Sequence, residues 1–140
     1  MTKYYLAGPM QGIPQFNFPA FFEAAAALRD MGFTIVSPAE IDNADDHGAA
    51  LQSPDGDPNN RAHMNNKTWG DFLARDVKIV ADEVDGLVMM PNWERSKGAR
   101  LEAFVGLAAK KTFAVYYPEF KRVSYVSSDF IREIIRGNMP

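Results

Sequence analysis

The most constraining feature of the chain is an unbroken apolar run, Gly86-Leu87-Val88-Met89-Met90-Pro91, followed by Asn92-Trp93-Glu94-Arg95-Ser96-Lys97-Gly98-Ala99. A run without polar alternation reads as a strand buried on both faces, which requires helices above and below a sheet. The Ala- and Leu-rich stretch Ala99 to Lys111 then reads as a helix. The connection is a strand-to-helix turn with Ser and Gly at the helix start. Its free backbone N–H groups favour an anion above the strand end. Glu102 stands one turn into this helix, with Ala99, Val105, Gly106 and Ala109 at helical spacing around it. A carboxylate on such a small, apolar face is costly unless it is paired or used.

The rest of the chain fits this frame. Lys3 to Ala7 predicts a first strand, closed by Gly8-Pro9 and the loop Met10-Gln11-Gly12-Ile13-Pro14. That loop reads equally as a plain turn or as one that approaches a ligand. Asn17 is the expected N-cap of a helix to about Asp30, with Pro19 just inside and Gly32 closing it. Phe18, Phe21, Phe22, Ala25 and Leu28 form its apolar face. Phe33 to Val36 predicts a second strand. Thr68 is the expected N-cap of a helix to about Asp82 with the stripe Trp69, Phe72, Leu73, Asp76, Val80. Asp76 is thus a second carboxylate on an apolar face. The readings that stand are a functional acid, an acid paired with Arg75 or Lys78, or a cap on a neighbouring loop. Thr112 to Tyr117 predicts a fourth strand, Val123 to Val126 a short edge strand, and Asp129 to Arg136 a last helix.

This alternation predicts an α/β fold, a flavodoxin- or Rossmann-like three-layer sandwich on a four- to five-stranded parallel sheet of order 2-1-3-4. Ligands of such sheets sit beyond the strand carboxyl ends, where the order reverses. That seam, between the first and third strands, brings Tyr5 and Gly8-Pro9-Met10 beside Asn92-Trp93 and Ser96-Lys97-Gly98. At 140 residues one domain spanning 1–140 is expected. The stretch 40–66 reads as a long polar loop: a lid, an oligomer contact, or disorder. It holds both histidines, His47 and His63, and the acids Asp42, Asp45, Asp46, Asp55 and Asp57. Their spacing fits no metal-ligand pattern, so no metal is expected.

The net charge of −3 argues against a nucleic-acid or acidic-membrane surface. With no cysteine there is neither disulfide nor thiolate chemistry. No apolar stretch is long enough to span a bilayer, and the start reads as strand rather than signal peptide. The expected location is cytoplasmic. The three-glycine dinucleotide fingerprint and the phosphate-binding P-loop are both missing. What remains is Asp76 and Glu102 on facing helices beside an anion-favouring turn. Paired carboxylates suit work at an acetal-like carbon, such as C1′ of a nucleoside.

Three signatures, in order, carry a resemblance: Tyr4-Tyr5-Leu6-Ala7-Gly8-Pro9, Arg75-Asp76-Val77-x-x-Val80, and Ser96-Lys97-Gly98-Ala99-Arg100-Leu101-Glu102. Together they resemble the nucleoside 2-deoxyribosyltransferase superfamily over Lys3 to Val115. The Leu-Ala-Gly-Pro-Met opening, the Asn-x-Pro-x-Phe helix start and the Trp-x-x-Ser-x-Gly-Ala-x-Leu-Glu turn resemble a phage-associated branch of unknown function. The resemblance implies Glu102 as nucleophile, Asp76 as the group that handles the leaving base's proton or holds the sugar, and Tyr5 as the donor that orients Glu102. It implies that Ser96, Gly98 and the Gly8 to Gly12 loop, Pro9 and Met10 included, surround a 5′-phosphate or 5′-hydroxyl. Ser96 is similar to the residue of the family's 5′-monophosphate N-glycosidases. Asn92, Trp93 and Lys97 are further expected substrate contacts; Trp93 stacks on a base or packs internally, and Lys97 points inward or into solvent. The implied displacement needs no cofactor. The implied partner is a small nucleoside or nucleotide, with the chain forming a homo-oligomer through the Phe-rich first helix and the Trp69 helix. A non-catalytic nucleotide-binding or sensing module, and a structural protein with both acids in ion pairs, are the alternatives.

Overall fold

The computed structural model describes residues 2–41, 44–60 and 62–138, with side chains of 44–47 left aside. The strands are β1 (Lys3–Ala7), β2 (Thr34–Val36), β3 (Gly86–Met89), β4 (Thr112–Tyr117) and β5 (Arg122–Val126). The helices are α1 (Phe18–Asp30), α2 (Pro38–Ile41), α3 (Ala44–Leu51), α4 (Trp69–Asp82), α5 (Lys97–Ala108) and α6 (Ser128–Gly137). They form one five-stranded sheet of order β2-β1-β3-β4-β5. The first three pairings are parallel, with Tyr5 opposite Val36 and Leu87. The expected α/β architecture and order are therefore present. One detail differs: β5 runs antiparallel to β4. The turn Pro118–Phe120 joins the two directly, and so short a link cannot make a parallel crossover.

Alternate residues of each strand build two cores. Tyr4, Leu6, Val88, Met90, Ala114 and Tyr116 face α1, where Phe18, Phe21, Ala25 and Leu28 are buried. Tyr5, Ala7, Leu87, Met89, Phe113 and Val115 face the other way, toward α4, α5 and α6. Truncating a fully buried residue of either face, such as Leu6 or Leu87, costs about 2–5 kcal/mol. Both strand ends at the seam are crowded. A Cβ on Gly8 would lie 2.8 Å from the Met90 Cβ, so only glycine lets the chain leave β1 against the end of β3.

Two local expectations need correction. Asn17 occupies the cap position of α1 but does not cap it; its backbone is left-handed and its Nδ2 donates to the Pro9 carbonyl at 2.9 Å. Gln15 and Phe16 share that left-handed conformation, and the bend aims Asn17 back at the loop. The 40–66 stretch, expected as loop, contains α3 and the end of α2. It is tied to the β1–α1 loop by Gly12 N–H to the Gly56 carbonyl at 3.0 Å and Gln15 N–H to the Ser53 carbonyl at 2.8 Å. Gly56 has φ +68, and a Cβ there would fall 2.3 Å from the Ile13 carbonyl oxygen. Thr68 behaves as expected, in a reciprocal capping box with Asp71. Among the described residues no helix is long and apolar enough to cross a membrane.

Candidate active site

A cavity opens at the carboxyl ends of β1 and β3. Its empty space is about 820 Å³, a figure that includes the solvent of its open mouth. The sheet side contributes Gly8, Ser96, Gly98, Ala99 and Glu102, and α4 contributes Arg75 and Asp76. The opposite wall is largely apolar, with Met10, Phe16, Phe18, Met64 and Phe72.

Glu102 is placed by α5, whose first turn is capped by Ser96 Oγ accepting from the Ala99 N–H at 3.2 Å. Tyr5, fully buried on β1, donates its hydroxyl to Glu102 Oε2 at 2.7 Å. The pairing spans the seam between strand and helix, as the period-2 pattern of β1 and the helical spacing of α5 require. Asp76 lies one residue beyond Arg75, which donates from Nε to Asp76 Oδ1 at 2.9 Å and approaches the same oxygen with a second nitrogen at 2.8 Å. The guanidinium also stacks over the Phe72 ring at 5.4 Å, so its orientation is fixed from two sides.

Burial, then the charge of Asp76, pushes the Glu102 carboxyl up to about 8, against the pull of the Tyr5 hydroxyl and Arg75. Burial also raises Asp76, while Arg75 and then Tyr5 pull it down. Burial and the two acids push the Tyr5 phenol well above its ordinary range, so it remains a donor. Both buried carboxyls thus hold their protons more strongly than solvated acids do. Lys78 pairs with Asp82 instead, and Arg100 donates to the Glu94 carbonyl. The ion-pair reading of Asp76 thus holds for Arg75, but the pair faces an open cavity.

Other expected contacts sit elsewhere. Trp93 is buried in the core with Tyr5, Ala7 and Val80, so it packs internally rather than stacking on a ligand. Asn92 is exposed, held in the left-handed turn that starts the short helix Trp93–Arg95. Lys97 is exposed, its ammonium 4.9 Å from the Trp69 ring centre, and does not line the cavity. Pro9 and Gly12 do not line it either: Pro9 accepts from Asn17, and Gly12 anchors the 40–66 segment. Gly8, Met10, Ser96 and Gly98 do line it. The Phe-rich face of α1 is largely spent internally, with Phe18 and Phe21 buried.

The sequence reading missed Arg75 as a cavity residue and His63, which also lines it. Arg75 was legible as the neighbour of a misplaced acid. His63 carried no signal beyond its residue type in a polar stretch. Among the described residues no three His, Asp or Glu side chains gather in a metal-holding group. Asp42 lies outside the described residues, as do the side chains of Asp45, Asp46 and His47.

Residues 2–117 match the family described as a domain of unknown function, DUF4406. The chain belongs to the DUF4406 family. No curated protein matches it. The matched span carries every element of the DUF4406 cavity, from Tyr5 on β1 to Glu102 on α5.

Proposed function

We propose that this DUF4406 protein cleaves the N-glycosidic bond of a deoxynucleoside or its 5′-monophosphate, as an N-glycosidase or 2-deoxyribosyltransferase. The observation that carries the reading is the Tyr5 hydroxyl bonded to Glu102 at 2.7 Å in a cavity shared with the Arg75–Asp76 pair. The likeness of the three sequence signatures to the nucleoside 2-deoxyribosyltransferase superfamily supports the same assignment.

The chemistry starts from the proton that the raised carboxyls retain. As the C1′–N bond breaks, its electron pair goes to the base, and the proton held by the acid pair passes to that nitrogen. Glu102, now ionised, forms a bond from its carboxylate oxygen to C1′. Tyr5 keeps the other oxygen oriented. Water, losing a proton to Asp76, then attacks C1′ as the C1′–O bond to Glu102 breaks, its electron pair returning to the carboxylate and freeing the sugar; a second base in place of water gives transfer instead. Arg75 keeps Asp76 able to ionise when the proton has left. The capped start of α5, with Ser96 and Gly98, suits a 5′-hydroxyl or 5′-phosphate.

The test is release of free base from each 2′-deoxynucleoside and its 5′-monophosphate. One substrate is expected to turn over, and Glu102→Ala to lose at least a thousandfold in rate. Release of no base, or unchanged release by Glu102→Ala, overturns the enzyme reading. Ligand-dependent thermal stabilisation without product would leave a nucleotide-binding module. We also propose a homo-oligomer. Its apolar surface would be the exposed Leu101 and Phe104 of α5 and Phe130 of α6, rather than the buried face of α1. A monomer by light scattering at micromolar concentration would contradict it.

A further inference from the structure

The cavity has two unlike ends. Glu102 and its partner Tyr5 belong with the core beneath α4 and α5. Met64, Phe16 and Phe18 belong with the core beneath α1, and Phe72 packs against them. His63 immediately precedes Met64 and lines the cavity with these rings. An apolar, aromatic end suits the flat faces of a nucleobase, and the carboxyl end suits C1′ of the sugar.

The tautomer of His63 follows from its neighbour. Its Nδ1 lies 3.2 Å from the Ala49 carbonyl oxygen. A carbonyl only accepts, so Nδ1 carries the hydrogen of the neutral ring and Nε2 is a lone-pair acceptor. Among the described residues Nε2 has no hydrogen-bond partner. The His63 N–H donates to the Asn60 carbonyl at 3.1 Å, and Met64 beside it is buried in the core. An acceptor in an apolar wall discriminates between ligands. A ligand that expels water there without offering a donor leaves the acceptor unpaired.

We propose that His63 is a specificity residue whose Nε2 accepts a hydrogen bond from an N–H group on the nucleobase edge, an exocyclic amine or a ring imino group. The assignment rests on reading the cavity as a nucleoside site, but not on turnover. The experiment uses Glu102→Gln protein and calorimetric titration with the four 2′-deoxynucleosides and their counterparts methylated at every base N–H. In that background His63→Leu is expected to weaken the preferred nucleoside about tenfold. His63→Gln, whose amide oxygen can accept in place of Nε2, is expected to restore most of the loss. Base methylation is expected to cost about tenfold with His63 present and nothing further in His63→Leu.

Equal weakening of parent and methylated ligands by His63→Leu overturns the proposal. So does a His63 effect that vanishes with the 3′-deoxy nucleoside and not with the methylated one, which would place the sugar at Nε2. Binding of no nucleoside overturns it as well. Nitrogen-15 shifts of the His63 ring, assigned against His63→Gln, should show Nδ1 protonated and Nε2 bare; the reverse overturns it. Failure of the unsubstituted protein to release base sinks the glycosidase reading alone and leaves this binding cycle readable.

Discussion

The two walls of the cavity are held by different physics. The sheet-end wall places Tyr5 and Glu102 on β1 and α5, elements locked by core packing, and joins them by a buried side-chain hydrogen bond. The segment from Ala49 to Met64 adds backbone hydrogen bonds between loops, at Gly12–Gly56 and Gln15–Ser53, to the core packing of Ala50 and Met64. Charge is fixed where the frame is rigid, and shape is supplied where the chain is irregular. Bond-making groups need sub-ångström placement, whereas recognition tolerates adjustment.

Substitutions can separate the two walls. The largest effect is expected at Glu102. Its carboxyl rises from near 4.5 in the unfolded chain to about 8 in the folded one. The folded state therefore binds the extra proton between these values. Stability is full below the unfolded pKa and is lost as pH rises through the folded value, at about 1.4 kcal/mol per pH unit within the window. Asp76 is raised as well and acts in the same direction. Glu102→Gln should flatten this dependence in denaturant titrations at pH 5, 6.5 and 8, and should be the more stable protein at pH 8. An unchanged slope would mean that Glu102 is already ionised.

Tyr5→Phe comes next. It removes the donor to Glu102 without changing the ring, and base release should fall about a hundredfold. Because the hydroxyl holds the Glu102 carboxyl down, the pH–rate profile should also move toward higher pH. A fall in rate with no such movement would assign Tyr5 to packing alone.

Gly56→Ala probes the other wall. The new Cβ would meet the Ile13 carbonyl in a left-handed backbone, costing about 1–3 kcal/mol of stability. Ligand affinity should drop while the pH slope from Glu102 stays as it was. If that slope changes too, the walls are coupled and the comparison fails. The smallest effect is expected at Lys97. Its side chain lies over the Trp69 ring and does not line the cavity, so Lys97→Ala should alter stability by less than about 0.5 kcal/mol and leave KM unchanged. A large rise in KM for a 5′-monophosphate would return Lys97 to the site.

The rigid wall was the legible one. An acid among small residues at Glu102 marked a costly burial, and the family resemblance implied Tyr5 as its donor. The seam rule brought Tyr5 beside Ser96-Lys97-Gly98, at the start of the helix that carries Glu102. Trp93 was ambiguous because a large ring one turn after a strand end serves core and ligand equally; only three-dimensional packing decides. The α3 helix was hidden because Asp45, Asp46 and Gly48 make poor helix, and contacts of the segment override that preference. His63 was invisible for a related reason. Its role depends on the carbonyl of Ala49, a backbone group whose identity no side-chain pattern records.

The pins at Gly12–Gly56 and Gln15–Ser53 join main-chain atoms, so they are indifferent to most of the side chains around them. Pro58, which lines the cavity from this segment, can therefore be exchanged while both pins stay in place, whereas Met64 is tied down by the core it packs in.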